Sequence, residues 1–171
     1  MATTLRADAQ RNLDRLLEAA GECFAERGVD CSVDEIARRA GVGHGTVFRR
    51  FPTKEALLLA VVVRRIEALT AVAEEAAAAP DVEAAFVGFV RSAGESYSRD
   101  RALVEGLDRC LDRPELATLI AAVDRLVGRA HAAGVVRPEL GGEDVLRLVP
   151  TASLYPDVVL DGLRPRSGLF A

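Results

Sequence analysis

Ser32-Val33-Asp34-Glu35-Ile36-Ala37-Arg38-Arg39-Ala40-Gly41-Val42-Gly43-His44-Gly45-Thr46-Val47-Phe48-Arg49-Arg50-Phe51 is the stretch on which the reading of this chain turns. It predicts two short helices with a glycine turn between them. Ser32 followed three residues on by Glu35 has the pattern of a capping box. Ile36, Ala37 and Ala40 then share one inward face, and Gly41 ends the first helix. After Gly41-Val42-Gly43 a second helix is expected over 44–51, with Val47 and Phe51 inward at i, i+4. Two helices joined by three or four residues including Gly form a helix-turn-helix. The side left to face outward from the second helix carries His44, Gly45, Thr46, Phe48, Arg49 and Arg50. These are hydrogen-bond donors, a small residue that permits close approach, and an aromatic.

Charge points the same way. The 171 residues carry a net charge of −4, unevenly spread. Residues 1–54 sum to +1 and residues 55–171 to −5. Within the first segment, Arg38 to Lys54 holds Arg38, Arg39, Arg49, Arg50 and Lys54 and no acid. An acidic protein is no general polyanion binder, but a basic window on a helix-turn-helix is the electrostatic footprint of phosphate contact. In such a unit the second helix enters the major groove while flanking groups hold phosphates.

Outward from this unit the pattern stays helical. Aromatics are 5% and Trp is absent, while Ala, Leu, Arg and Glu dominate. The fold class expected is all-α. Leu13, Leu16, Leu17, Ala20 and Phe24 form an apolar stripe on a first helix over 11–27, closed by Gly28. Thr53 caps a long helix over 54–79 that Pro80 stops. Further helices are expected over 82–98, 100–111, 114–133, 143–154 and 157–163, with Pro114 and Pro156 at starts, where Pro is tolerated. The division expected is 1–53 as a three-helix DNA-binding domain and 54–171 as a second, helical domain, linked by helix 54–79.

At Ser32 to Leu57 the sequence resembles the TetR family of bacterial transcription regulators, specifically over about residues 11–60. The resemblance implies a homodimer, double-stranded operator DNA as partner, and a small-molecule pocket in the C-terminal ligand-binding and dimerisation domain; the function expected is that of a ligand-responsive repressor released from DNA by a small apolar effector. Position by position, it implies that Thr46 contacts a phosphate or base. His44 and Gly45 approach bases, Ser32 touches a phosphate as well as capping its helix, and Lys54 binds a phosphate at a helix start. Phe48 stands where the family usually has Tyr, so a phenolic hydroxyl is missing. Arg50 stands where His is common and can hold a phosphate bidentately. Leu69, Phe86, Phe89, Leu103, Leu107, Cys110 and Leu126 lie on inward stripes and are the expected lining of an effector pocket. The last two helices should form the dimer contact through Val145, Leu146, Leu148, Val149, Val158, Val159 and Leu160, although both are shorter than is usual for the family.

Other classes of function find less support. Gly41 to Gly45 follows a predicted helix rather than a strand and lacks the Gly-Lys-Ser/Thr continuation of a phosphate-cradling loop. Cys23, Cys31 and His44 fit no zinc spacing, so neither metal nor cofactor is expected. Three cysteines is an odd count, and the reading is of reduced, buried thiols in a cytoplasmic protein. The longest apolar run, Ala56 to Val63, falls far short of the ~20 residues that span a membrane. No nucleophile–base–acid set stands out, which argues against an enzyme. A helical scaffold whose helix-turn-helix has lost DNA function is the rival reading, and the run Thr46, Arg49, Arg50 and Lys54 argues against it.

Overall fold

The computed structural model describes residues 2–100 and 114–165, with the side chains of residues 2–7 and 29 excepted. Every regular element among them is helical. In chain order these are α1 (Ala2–Arg27), a 3₁₀ turn (Gly28–Asp30), α2 (Val33–Ala40), α3 (His44–Arg50), α4 (Lys54–Ala78), α5 (Val82–Arg99), α6 (Pro114–Ala132), α7 (Gly142–Ala152) and α8 (Pro156–Leu163). None is long and apolar enough to cross a membrane. The expected helix over 100–111, with Leu103, Leu107 and Cys110, lies outside the described residues.

The chain divides into two compact units, and the division falls inside α4, between Arg65 and Ile66. The first unit comprises residues 2–65 with Asp100, and the second residues 66–99 with 114–165. In the first, α1 starts nine residues earlier than the Leu13–Phe24 stripe predicts. Its core gathers Leu16, Ala20, Cys23 and Phe24 of α1, Ile36 and Ala40 of α2 and Val47 of α3. Leu57, Leu58 and Val61 of α4 close the same core. Burial of side chains the size of Phe24 or Ile36 stabilises by roughly 1.5–3 kcal/mol each. Arg64 donates to Asp14 at 2.9 Å, which ties α4 to α1 by charge as well.

Two turns in this unit need glycine. Gly28 (φ +59°) starts the 3₁₀ turn, and Gly41 (φ +66°) takes the left-handed position after α2. At the start of α2, Ser32 Oγ accepts from the Glu35 amide at 3.2 Å. Only that half of the expected capping box is seen, because the Glu35 carboxylate turns to Arg27 at 2.7 Å and Arg39 at 2.8 Å. Thr53 caps α4 as expected, its Oγ1 accepting from the Ala56 amide at 3.1 Å.

The cysteines correct the sequence reading. Cys23 and Cys31 are not reduced thiols but are bonded to each other, with Cα atoms 5.9 Å apart. Counting cysteines cannot decide pairing; distance does. The 3₁₀ turn folds the chain back so that Cys31 meets the last turns of α1 inside the core, within bonding range.

In the second unit α7 packs on both α5 and α6, and α8 lies against α5 and α7. Phe86, Phe89, Val90, Val123, Leu126 and Leu163 are fully buried there. Contact between α5 and α7 is close at Gly94, where a Cβ would meet the backbone of Ala152 at 3.0 Å.

Candidate nucleic-acid interface

α2, the turn 41–43 and α3 form the helix-turn-helix. The left-handed Gly41 lets the Val42 amide reach back to the Ala37 carbonyl at 3.0 Å, which turns the chain sharply out of α2. The Gly43 carbonyl then accepts from Thr46 at 2.9 Å and starts α3. Val47 is the one residue of α3 that is buried. His44, Gly45, Thr46, Phe48, Arg49 and Arg50 are all exposed, the set expected from the sequence.

Gly45 faces open space, with nothing within 4 Å of where a Cβ would sit. The fold therefore does not require glycine there. Phe48 is 38% exposed, and the His44 ring lies 4.5 Å from it, tilted by 34°. His44 Nδ1 is hydrogen-bonded to the Asp34 carboxylate of α2. Along the sequence Asp34 is no more than an acid in the first turn of α2. Ten residues separate it from His44, and only the turn brings them together, so no spacing rule could have paired them.

Arg49 and Arg50 make no ion pair or hydrogen bond among the described residues. They rim an open groove of about 420 Å³ between α1 and α3, with Leu13, Leu16 and Val42 on its floor and Thr46 at its side. The basic window of the sequence is not uniform. Arg39 is taken up by Glu26 at 2.7 Å and Glu35 at 2.8 Å. The hydrogen bond from Arg39 holds each of those carboxyls below its ordinary value, and the two carboxylates in turn raise the Arg39 guanidinium. Arg39 thus fastens α2 to α1, while Arg49 and Arg50 remain available. Arg38 is exposed, 3.9 Å from Glu35. Ser32 and Lys54 start α2 and α4, with Ser32 exposed and Lys54 half-buried.

The residues expected to line an effector pocket are less united. Phe86, Phe89 and Leu126 are sealed in the core of the second unit, and Leu69 is half-buried. An open groove in that unit runs instead along Ala77, Ala78, Gly128, Arg129 and Ala132 and includes none of these four. Of the residues expected at a dimer contact, Val145, Val149, Val159 and Leu160 are buried within the protomer. Leu146 and Leu148 are half-buried, and the exposed large apolar side chains among the described residues of this unit are Leu154, Tyr155 and Val158, at 71%, 61% and 69% exposure. No cluster of three or more metal-ligating side chains occurs among the described residues.

A helix-turn-helix with an outward basic recognition helix, followed by a helical unit, defines a class of transcriptional regulators rather than enzymes. The chain belongs to the TetR family. The sequence pattern of bacterial regulatory proteins of the tetR family matches residues 16–61. The crystal structure of the TetR transcription regulatory protein from Mycobacterium vanbaalenii is similar over 94% of this chain and 99% of that one, with 38% identity and a TM-score of 0.75. The TetR transcriptional regulator SCO0520 from Streptomyces coelicolor is similar over 90% and 99%, with 28% identity and a TM-score of 0.66. The HTH-type transcriptional regulator SrpR of Pseudomonas putida is 41% identical over 66 residues, which is 38% of this chain. That match spans 31% of SrpR, and a match to TtgW of Pseudomonas putida spans 49% of it.

Proposed function

We propose that this protein is a ligand-responsive transcriptional repressor that binds operator DNA as a homodimer in the cytoplasm. The observation that carries the DNA reading is the face of α3. Val47 anchors the helix while the other six residues from His44 to Arg50 face solvent. In the docked complex His44 and Gly45 approach base edges. Thr46 contacts a phosphate or a base and Arg49 and Arg50 hold phosphates, with Ser32 and Lys54 as further backbone contacts at helix starts. The Phe48 ring packs on a sugar or a thymine methyl. Residues 1–53 serve DNA binding, and residues 54–171 serve effector binding and dimerisation.

Two half-sites about one helical turn apart require two recognition helices, hence a dimer. The exposed Leu154, Tyr155 and Val158 supply its apolar contact. The effector is a small apolar molecule held in the C-terminal unit near Leu69, Phe86, Phe89 and Leu126. Because Phe86, Phe89 and Leu126 are packed, such a ligand has to open that core. α4 belongs to both units, so a ligand that shifts its C-terminal half alters the half that starts at Lys54. A coupling of 1–3 kcal/mol corresponds to a roughly 5–150-fold loss of operator affinity.

Selection from random duplexes tests the reading. A two-fold symmetric site with half-sites about one turn apart is expected. Recovery of no preferred sequence from a folded protein would refute it, and a ligand that tightens the operator complex would refute repression by release.

A further inference from the structure

Asp34 is paired with His44, and the DNA reading so far gives Asp34 no part. We propose that Asp34 is a positioning residue for base recognition: it fixes the tautomer of His44 so that Nε2 is presented to the major groove as a hydrogen-bond acceptor, selecting an exocyclic amino group of adenine or cytosine. This rests on α3 being the reading helix.

The chemistry follows from which atom touches which. Asp34 Oδ1 is hydrogen-bonded to His44 Nδ1. An ionised carboxylate only accepts, so Nδ1 carries the proton. In the neutral ring Nε2 is then left with its lone pair. Phe48, with its ring centroid 4.5 Å from that of His44, restrains the imidazole from a second side. The pair therefore fixes both the rotation of the ring and the identity of its free nitrogen. Both side chains are exposed, and His44 is the first residue of the recognition helix, where side chains reach base edges. Beside it, Gly45 leaves open space for a base pair to come close.

An acceptor reads only half of the major-groove code. Adenine offers N6–H₂ and cytosine N4–H₂ as donors, whereas guanine O6 and N7 and thymine O4 are acceptors that would face Nε2 lone pair to lone pair. A histidine with both tautomers accessible would discriminate poorly, since it could also donate from Nε2 to guanine. The carboxylate ten residues away removes that ambiguity.

Imidazole ¹⁵N NMR on the full chain at pH 8, with selection of preferred duplexes, tests the proposal. Wild type is expected to show the Nδ1–H tautomer at His44. His44→Ala should lose the preference for adenine or cytosine at one position of each half-site. Asp34→Ala should relax the preference at that same position about fivefold or more and leave the salt dependence of binding unchanged. Asp34→Asn, whose amide can accept from Nδ1–H or, turned over, donate to Nδ1, should no longer select one tautomer and should relax the preference at that position as Asp34→Ala does. An Nε2–H tautomer in wild type would overturn the proposal. So would guanine or thymine at the His44-dependent position, or an unaltered preference in a folded Asp34→Ala protein. If wild type selects no sequence at all, the DNA reading has failed, while the NMR still decides the tautomer.

Discussion

The guanidinium of Arg39 on α2 lies 2.7 Å from the carboxylate of Glu26 on α1, thirteen residues away. The same guanidinium holds Glu35 at 2.8 Å, so one side chain joins the two helices that carry the recognition helix. The hydrogen bond from Arg39 keeps both carboxyls below their ordinary 4.5. Carboxyls depressed in the folded state stabilise above their unfolded value and lose that stabilisation as pH falls through the folded one. Arg39→Met should therefore lower the melting temperature by a few degrees at pH 7. The gap to wild type should close as pH drops below 4.5. Thermal melts across pH 3–7 check this, and a gap independent of pH would refute the linkage.

Arg49 and Arg50, in contrast, are open to a partner. Arg49→Ala and Arg50→Ala should each reduce the slope of log affinity against log salt by about 0.9, with similar losses on operator and random duplexes. Titrations at three or more salt concentrations measure both. A loss confined to one base position would mean that the arginine reads sequence instead.

Gly45 offers opposite signs for folding and binding. Its replacement by Ala meets no atom within 4 Å and adds helix propensity of roughly 0.5–1 kcal/mol. Gly45→Ala should thus raise the melting temperature slightly while weakening operator affinity about tenfold or more by crowding the groove. If affinity were unchanged, close approach at this position would not occur.

The bond between Cys23 and Cys31 closes a short loop, eight residues apart in sequence. Loop-closure entropy for such a length is worth about 2.5 kcal/mol, so reduction or Cys31→Ser should lower the melting temperature by roughly 5–10 °C. Mass spectrometry after alkylation of the unfolded, unreduced protein should find one free thiol, at Cys110. Three alkylated thiols in protein prepared without reductant would contradict the pairing.

Leu154, Tyr155 and Val158 are the exposed apolar residues around the turn into α8. Val158→Asp and Tyr155→Glu should shift sedimentation at micromolar concentration from dimer to monomer and lower operator affinity, with helicity retained. A dimer that survives both substitutions would place the contact elsewhere.

Much of this molecule is legible along the chain because its signals are local. Gly41 after an apolar face, Thr53 before a long Ala/Leu/Glu run and Pro156 at a helix start act within one turn of themselves, and the helices begin and end there. The outward face of α3 was readable for the same reason: periodicity alone puts Val47 inside and Arg50 outside. What required the tertiary structure is every relation in which distant residues compete for a partner. Glu35 could cap its own helix or pair with Arg27 and Arg39, and the packing of α1 on α2 settled it for the arginines. Five basic residues look alike in a sequence window, yet only the fold separates Arg39, held by two carboxylates, from Arg49 and Arg50. Apolar residues of α7 and α8 likewise look equivalent until Val145 and Val159 turn inward and Val158 outward. Local backbone preference is written in neighbouring residues, whereas the partner of a charge, a thiol or an imidazole depends on distances that exist only after the helices have packed.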